Sequence, residues 1–218
     1  MNNQPSNFVF FLIGGALLSA TAGFVDAATI LAPGQLAVSH VTGSVAKLAV
    51  DTASGGSLST GLIFGGIGAF FLGSALSGAT LESTQLRLGR RYGVLLCIEG
   101  LLLTAAALLL ISGEPKGVIL AAAACGLQNA MATQYSGAIV RTTHVTGLVT
   151  DLGITLGKWV SRKPVESWRA ILHTTLALSF GLGAFTGAKL YATYGGAILF
   201  GPAITILLLG AAYAARKK

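Results

Sequence analysis

Ser39-His40-Val41-Thr42-Gly43-Ser44-Val45-Ala46-Lys47-Leu48 and Thr143-His144-Val145-Thr146-Gly147-Leu148-Val149-Thr150-Asp151-Leu152 are one phrase written twice. Each copy sets a hydroxyl, an imidazole, a threonine and a glycine, in the same order and spacing, inside an otherwise apolar chain. One position exchanges charge, Lys47 for Asp151. The flanks repeat as well. Gly23-Phe24-Val25-Asp26-Ala27 precedes the first copy as Gly126-Leu127-Gln128-Asn129-Ala130 precedes the second. Gly66-Ile67-Gly68-Ala69-Phe70 follows the first as Gly181-Leu182-Gly183-Ala184-Phe185 follows the second. The chain reads as a single membrane domain, residues 1–218, made of two frames over about residues 8–112 and 117–214.

Of 218 residues, 53% are hydrophobic and 10% charged, and mean hydropathy is +0.76. Soluble domains carry about 25% charged residues. This composition cannot cover a water-facing surface, so the expected fold is an all-α integral membrane protein. At about 20 residues per crossing, the apolar runs predict six transmembrane helices, about Phe8–Ile30, Gly61–Thr80, Tyr92–Ile111, Val118–Ala138, Thr174–Tyr191 and Ala197–Ala214. The first run, followed by Ser19-Ala20-Thr21-Ala22, has the look of a signal peptide, but Met1–Asn7 carries no cation and the run has a counterpart in the second frame. It is therefore expected to be a retained span. Each phrase is too short and polar to cross alone and is expected to form a broken or re-entrant His-Val-Thr-Gly segment. Val165–Leu172, after Pro164, reads as a short interfacial helix. Three spans per frame turn the second frame upside down, which makes an inverted repeat. That arrangement is associated with transporters whose sites lie near the midplane.

The formal charge of +7 sits beside apolar runs, which points to anionic headgroups and away from nucleic acid. Counting loop cations sets the expected orientation. With the N-terminus inside, the cytoplasm receives eleven: Arg87, Arg90, Arg91, Arg141, Lys158, Arg162, Lys163, Arg169, Arg216, Lys217 and Lys218. The opposite face receives three, Lys47, Lys116 and Lys189, so both termini are expected in the cytoplasm.

Cys97 and Cys125 have no CxxC or histidine partner and predict neither a disulfide nor a metal site. No nucleophile triad, P-loop or dinucleotide fingerprint appears, so no enzyme and no cofactor are expected. The candidate binding residues are His40, Thr42, Gly43, His144, Thr146 and Gly147 of the phrases, with Asp26, Gln128 and Asn129 inside the spans. An ionisable group within a span is costly and marks a functional site by default. Two readings of the phrase stand. In one, the glycine permits a turn, and amides and hydroxyls of the two phrases face each other across a polar cavity. In the other, the Thr or His caps a helix at the interface. Lys47 and Asp151 are candidates for an ion pair that gates the path across the pseudo-twofold axis, or for local partners only. Gly61-xxx-Gly65, Ala69-xxx-Gly73 and Gly183-xxx-Gly187 are close-packing faces suited to helix contact, a homodimer or a complex partner.

Gly23-x-x-Asp26-Ala27, His40-x-Thr42-Gly43, Gly126-x-Gln128-Asn129-Ala130 and Thr146-Gly147 together resemble the YoaK-like family of bacterial inner-membrane proteins, whose function is unknown. The resemblance covers nearly the whole chain and implies six spans and a bacterial inner-membrane location, but no substrate. Ser44 stands where that family's pattern has Asn, so an amide is missing there. Arg87-x-Gly89-Arg90-Arg91 is similar to a loop motif of major-facilitator transporters, with Leu86 in place of its acidic residue, and implies a half-length transporter. The functional expectation is a transporter or channel-like protein for a small polar or ionic solute, with its site between the frames. The alternative is a non-transporting subunit packed within a larger membrane complex.

Overall fold

A computed structural model describes residues 8–56, 58–81, 89–136, 140 and 142–215. It contains eight α-helices: α1 Phe8–Leu31, α2 Val41–Ala53, α3 Leu58–Thr80, α4 Arg90–Ile111, α5 Gly117–Ser136, α6 Val145–Val160, α7 Ser167–Tyr194 and α8 Phe200–Ala214. A 3-10 turn, Gly195–Leu199, joins the last two. Arg87 of the major-facilitator likeness, Arg141 and the expected end of the fourth span lie outside the described residues.

Among the described residues four stretches are long and apolar enough to cross a membrane, namely Phe8–Leu31, Ser59–Thr80, Arg90–Ile111 and Ser167–Ala214. The last is 48 residues and contains both α7 and α8. Gln128, Asn129 and Gln134 make α5 more polar than these. The chain is a multi-pass helical membrane protein. Lipid explains the apolar side chains on its outside, such as Phe64, Phe71, Leu182 and Leu208.

Small residues set the packing, because helices in lipid gain from close contact more than from hydrophobicity. A Cβ on Gly23 would collide with the Phe180 carbonyl, and one on Gly126 with the Phe70 carbonyl. Gly183 meets Ala20 as Gly73 meets Ala123. These contacts lay α1 along α7 and α3 along α5, each pair running in the same direction. In contrast α4 and α8 run oppositely, Gly93 against Gly210 and Gly100 against Ala203. α4 also packs on α5, α2 on α3, and α6 on α7.

Two expectations change. Val165–Leu172 is not a separate interfacial helix, since α7 begins at Ser167 and continues without a break. Trp168 and Leu172 are buried, and Trp168 stands edge-on to Phe8 at 6.1 Å, so packing against α1 extends the span downward. The glycine-rich match after the phrase shifts as well. Gly183 faces the Ala20 carbonyl and Gly73 the Ala123 carbonyl, whereas Gly68 has nothing within 4 Å, so the packing contact of Gly183 is shared by Gly73 and not by Gly68.

Candidate functional site

Pro33 stops α1, since the residue before a proline is pushed out of helical geometry. Gln35 then takes φ 42°, and Leu36 N donates to Thr29 O at 3.2 Å, turning the chain back along the helix it has just left. Leu36, Val38 and Ser39 are buried by this return. The Asp26 carboxylate, 2% exposed, receives them. Ser39 N donates to Asp26 Oδ1 at 2.8 Å, Ser39 Oγ to Oδ2 at 2.6 Å, and His40 Nδ1 lies 2.6 Å from Oδ2. Three donors converge on one buried carboxylate, which is what an anion inside an apolar bundle requires.

The His40 ring also stands edge-on to Phe180 of α7, 5.4 Å between centroids. Its side chain stays 36% exposed, so one face of the imidazole is open. The hydrogen bond to Asp26 holds His40 above its ordinary pKa, helped by the nearby charge and opposed by desolvation. α2 starts directly after it, and the imidazole makes no cap bond, so the capping reading fails for His40 and equally for His144 at the start of α6.

The second phrase also meets its preceding helix, α5, with weaker chemistry. Thr143, 5% exposed, donates from Oγ1 to Asn129 Oδ1 at 3.0 Å, the counterpart of Ser39 on Asp26. Ser19 of α1 holds this return from the other side by donating to the carbonyls of Thr142 and Leu176, both at 2.9 Å. His144 is exposed and lies over its own Gly147, far from the role of His40.

Of the other candidates, Gln128 is buried and donates to the Leu18 carbonyl at 2.8 Å, tying α5 to α1. Thr42, Gly43 and Thr146 are exposed in the first turns of α2 and α6, and Gly147 is half-buried. Lys47 and Asp151 do not meet. Lys47 Nζ reaches Gln35 O at 3.4 Å, and Asp151 faces His173 Nδ1 at 3.8 Å. The two phrases do not face each other either, because one return lies near the end of α1 and the other near the end of α5, and those helices end on opposite faces of the bundle. The residues that sequence reasoning passed over are Ser39 and Thr143, visible as a hydroxyl at the same place in both phrases, and Glu99, a carboxyl inside an apolar run.

A family described as "Protein of unknown function (DUF1275)" matches residues 14–212. The chain belongs to the DUF1275 family. No curated protein and no solved structure matches it. Among the described residues no group of three or more His, Cys, Asp or Glu side chains could hold a metal ion.

Proposed function

We propose that this DUF1275 protein is a small transporter or channel-like protein for a small polar or ionic solute, built as six spans in two inverted halves. Support for the halves comes from contacts made twice, Gly23 on Phe180 with Gly126 on Phe70, and Ser39 on Asp26 with Thr143 on Asn129. The observation that carries the transport reading is the pair of matching polar junctions buried in the bundle toward its opposite faces. A carboxylate inside a span is costly and by default marks a functional site. On this reading each return is the gate of one face, His40 and Asp26 contact the solute at one end, Asn129 and Thr143 at the other, and Gln128 lies between. The exposed first turns at Thr42-Gly43 and Thr146-Gly147 offer unpaired backbone amides to an anionic solute. On this reading the start of α1 and the basic loops face the cytoplasm, which the cation count supports, and the membrane is a bacterial inner membrane, as the YoaK-like resemblance implies.

The alternative, a non-transporting subunit of a larger complex, draws on Ile154, Leu156, Trp159 and Val160, all exposed on α6. A thermal-shift screen of the purified protein against inorganic ions, amino acids and small organic acids separates the two, because a ligand that binds only the folded state stabilises it. A saturable shift that His40→Ala abolishes supports transport. A flat screen on monodisperse protein, with a membrane partner that copurifies, overturns it.

A further inference from the structure

Glu99 lies midway along α4 and is 1% exposed. Its Oε2 has no hydrogen-bond partner. The helices packed against α4 supply no cation: α5, α8 and the 3-10 turn contain no lysine or arginine. Besides Glu99, α4 carries Arg90, Arg91, Tyr92 and Cys97, and the elements packed on it carry Cys125 and Tyr135 on α5 and Tyr213 on α8 as titratable groups. An ionised carboxylate in this surrounding has neither a counter-ion nor enough donors, in contrast to Asp26. A metal cation would need about six oxygen ligands, and one carboxyl cannot supply them.

A mostly apolar cavity of about 260 Å³, lined among others by Phe10, Leu18, Tyr92, Leu96, Tyr135 and Tyr213, ends one residue layer short of Glu99, which does not itself line it. Leu96 precedes Glu99 by one helical turn on the same face of α4. We propose that Glu99 is a proton-binding site, an acid that holds its proton in the interior and exchanges it through this cavity. The tyrosine cluster near the start of α4, Tyr92 with Tyr135 and Tyr213 at ring separations of 5.9 and 6.0 Å, lines the outer part of the approach. The inference goes beyond solute transport and stands without it, since a proton site of this kind also serves a protein that only senses or relays protons.

The test reads a covalent bond, not transport. Dicyclohexylcarbodiimide partitions into apolar sites and reacts with carboxylic acids in their neutral form. The acid proton moves to a carbodiimide nitrogen while the carboxylate oxygen bonds the central carbon, and the O-acylisourea rearranges to a stable N-acylurea. The full chain in detergent micelles is treated over a range of pH and mapped by peptide mass spectrometry, with a water-soluble carbodiimide in parallel. Glu99 is expected to be modified by the apolar reagent and spared by the soluble one, with modification falling as pH rises and lost in Glu99→Gln. Two results overturn the proposal. One is no modification of Glu99 in the folded wild-type chain when the SDS-unfolded chain is modified. The other is modification unchanged from mildly acidic to strongly alkaline pH, which means a locked structural acid. Both readings are taken on the wild-type protein and hold even where the variant fails to fold. A flat ligand screen would leave them untouched.

Discussion

Asp26 in the last third of α1 and Asn129 in the second half of α5 are each reached by a hydroxyl from the chain that follows, Ser39 and Thr143. The first junction nevertheless gathers two more contacts, from a backbone amide and an imidazole, while His144 lies in the open. The difference comes from one oxygen in place of one nitrogen. A carboxylate accepts on both oxygens and attracts a protonatable ring, whereas an amide accepts on one atom and carries no charge. Similar contacts thus yield one charged junction at Asp26 and one neutral junction at Asn129.

The comparison breaks most severely at Asp26. Asp26→Leu leaves the buried Ser39 amide and hydroxyl and the His40 ring without their acceptor and should cost about 3 kcal/mol, against about 1 kcal/mol for Asn129→Leu, which strands a single hydroxyl. SDS titration of the two variants measures the ratio, and equal losses would erase the proposed asymmetry. The glycine contacts should instead behave alike. Gly23→Ala and Gly126→Ala each drive a methyl into a backbone carbonyl of the facing helix, at a cost of about 1–3 kcal/mol of overpacking. Similar drops in thermal midpoint would support the two halves as structural equivalents.

Proton linkage sharpens the contrast further. His40 is raised by Asp26, so its contribution to stability is fully present below its unfolded value of 6.5 and is lost as pH rises through the folded value. Thermal midpoints measured against pH should decline over that window in the wild type, and the decline should vanish in His40→Ala. The smallest effect belongs to His144→Ala. An exposed ring without a partner should change stability by less than about 0.5 kcal/mol, and a larger loss in the same thermal assay would place His144 in a contact that the folded geometry lacks.

Much of this was legible beforehand. The paired phrases, an Asp or Asn before each of them and the apolar runs stand in the order of residues, and within the phrase the hydroxyl, imidazole, threonine and glycine keep their spacing. Ser39 and Thr143 were visible but not distinguished from Thr42 and Thr146, since nothing in a linear phrase says which hydroxyl turns inward. The backward turn at Gln35 decides that by pressing the residues before the histidine, not those after it, against α1. The glycine match after the phrase pairs Gly68 with Gly183 because Gly-x-Gly-Ala-Phe recurs by composition, whereas the packing contact of Gly183 is shared by Gly73, each facing a carbonyl.

Composition and periodicity alone determined that the chain lies in a membrane as helices, because only a helix satisfies its own backbone in lipid. They also determined that its polar groups would be few and costly, and that two stretches would carry them. Tertiary structure decided the rest. It alone shows that the phrases sit toward opposite faces, that Lys47 and Asp151 never meet, and that Glu99 is buried with a bare oxygen. The physical reason is that burial and hydrogen bonding depend on which helix lies alongside, and that follows from glycine contacts between residues far apart in the chain.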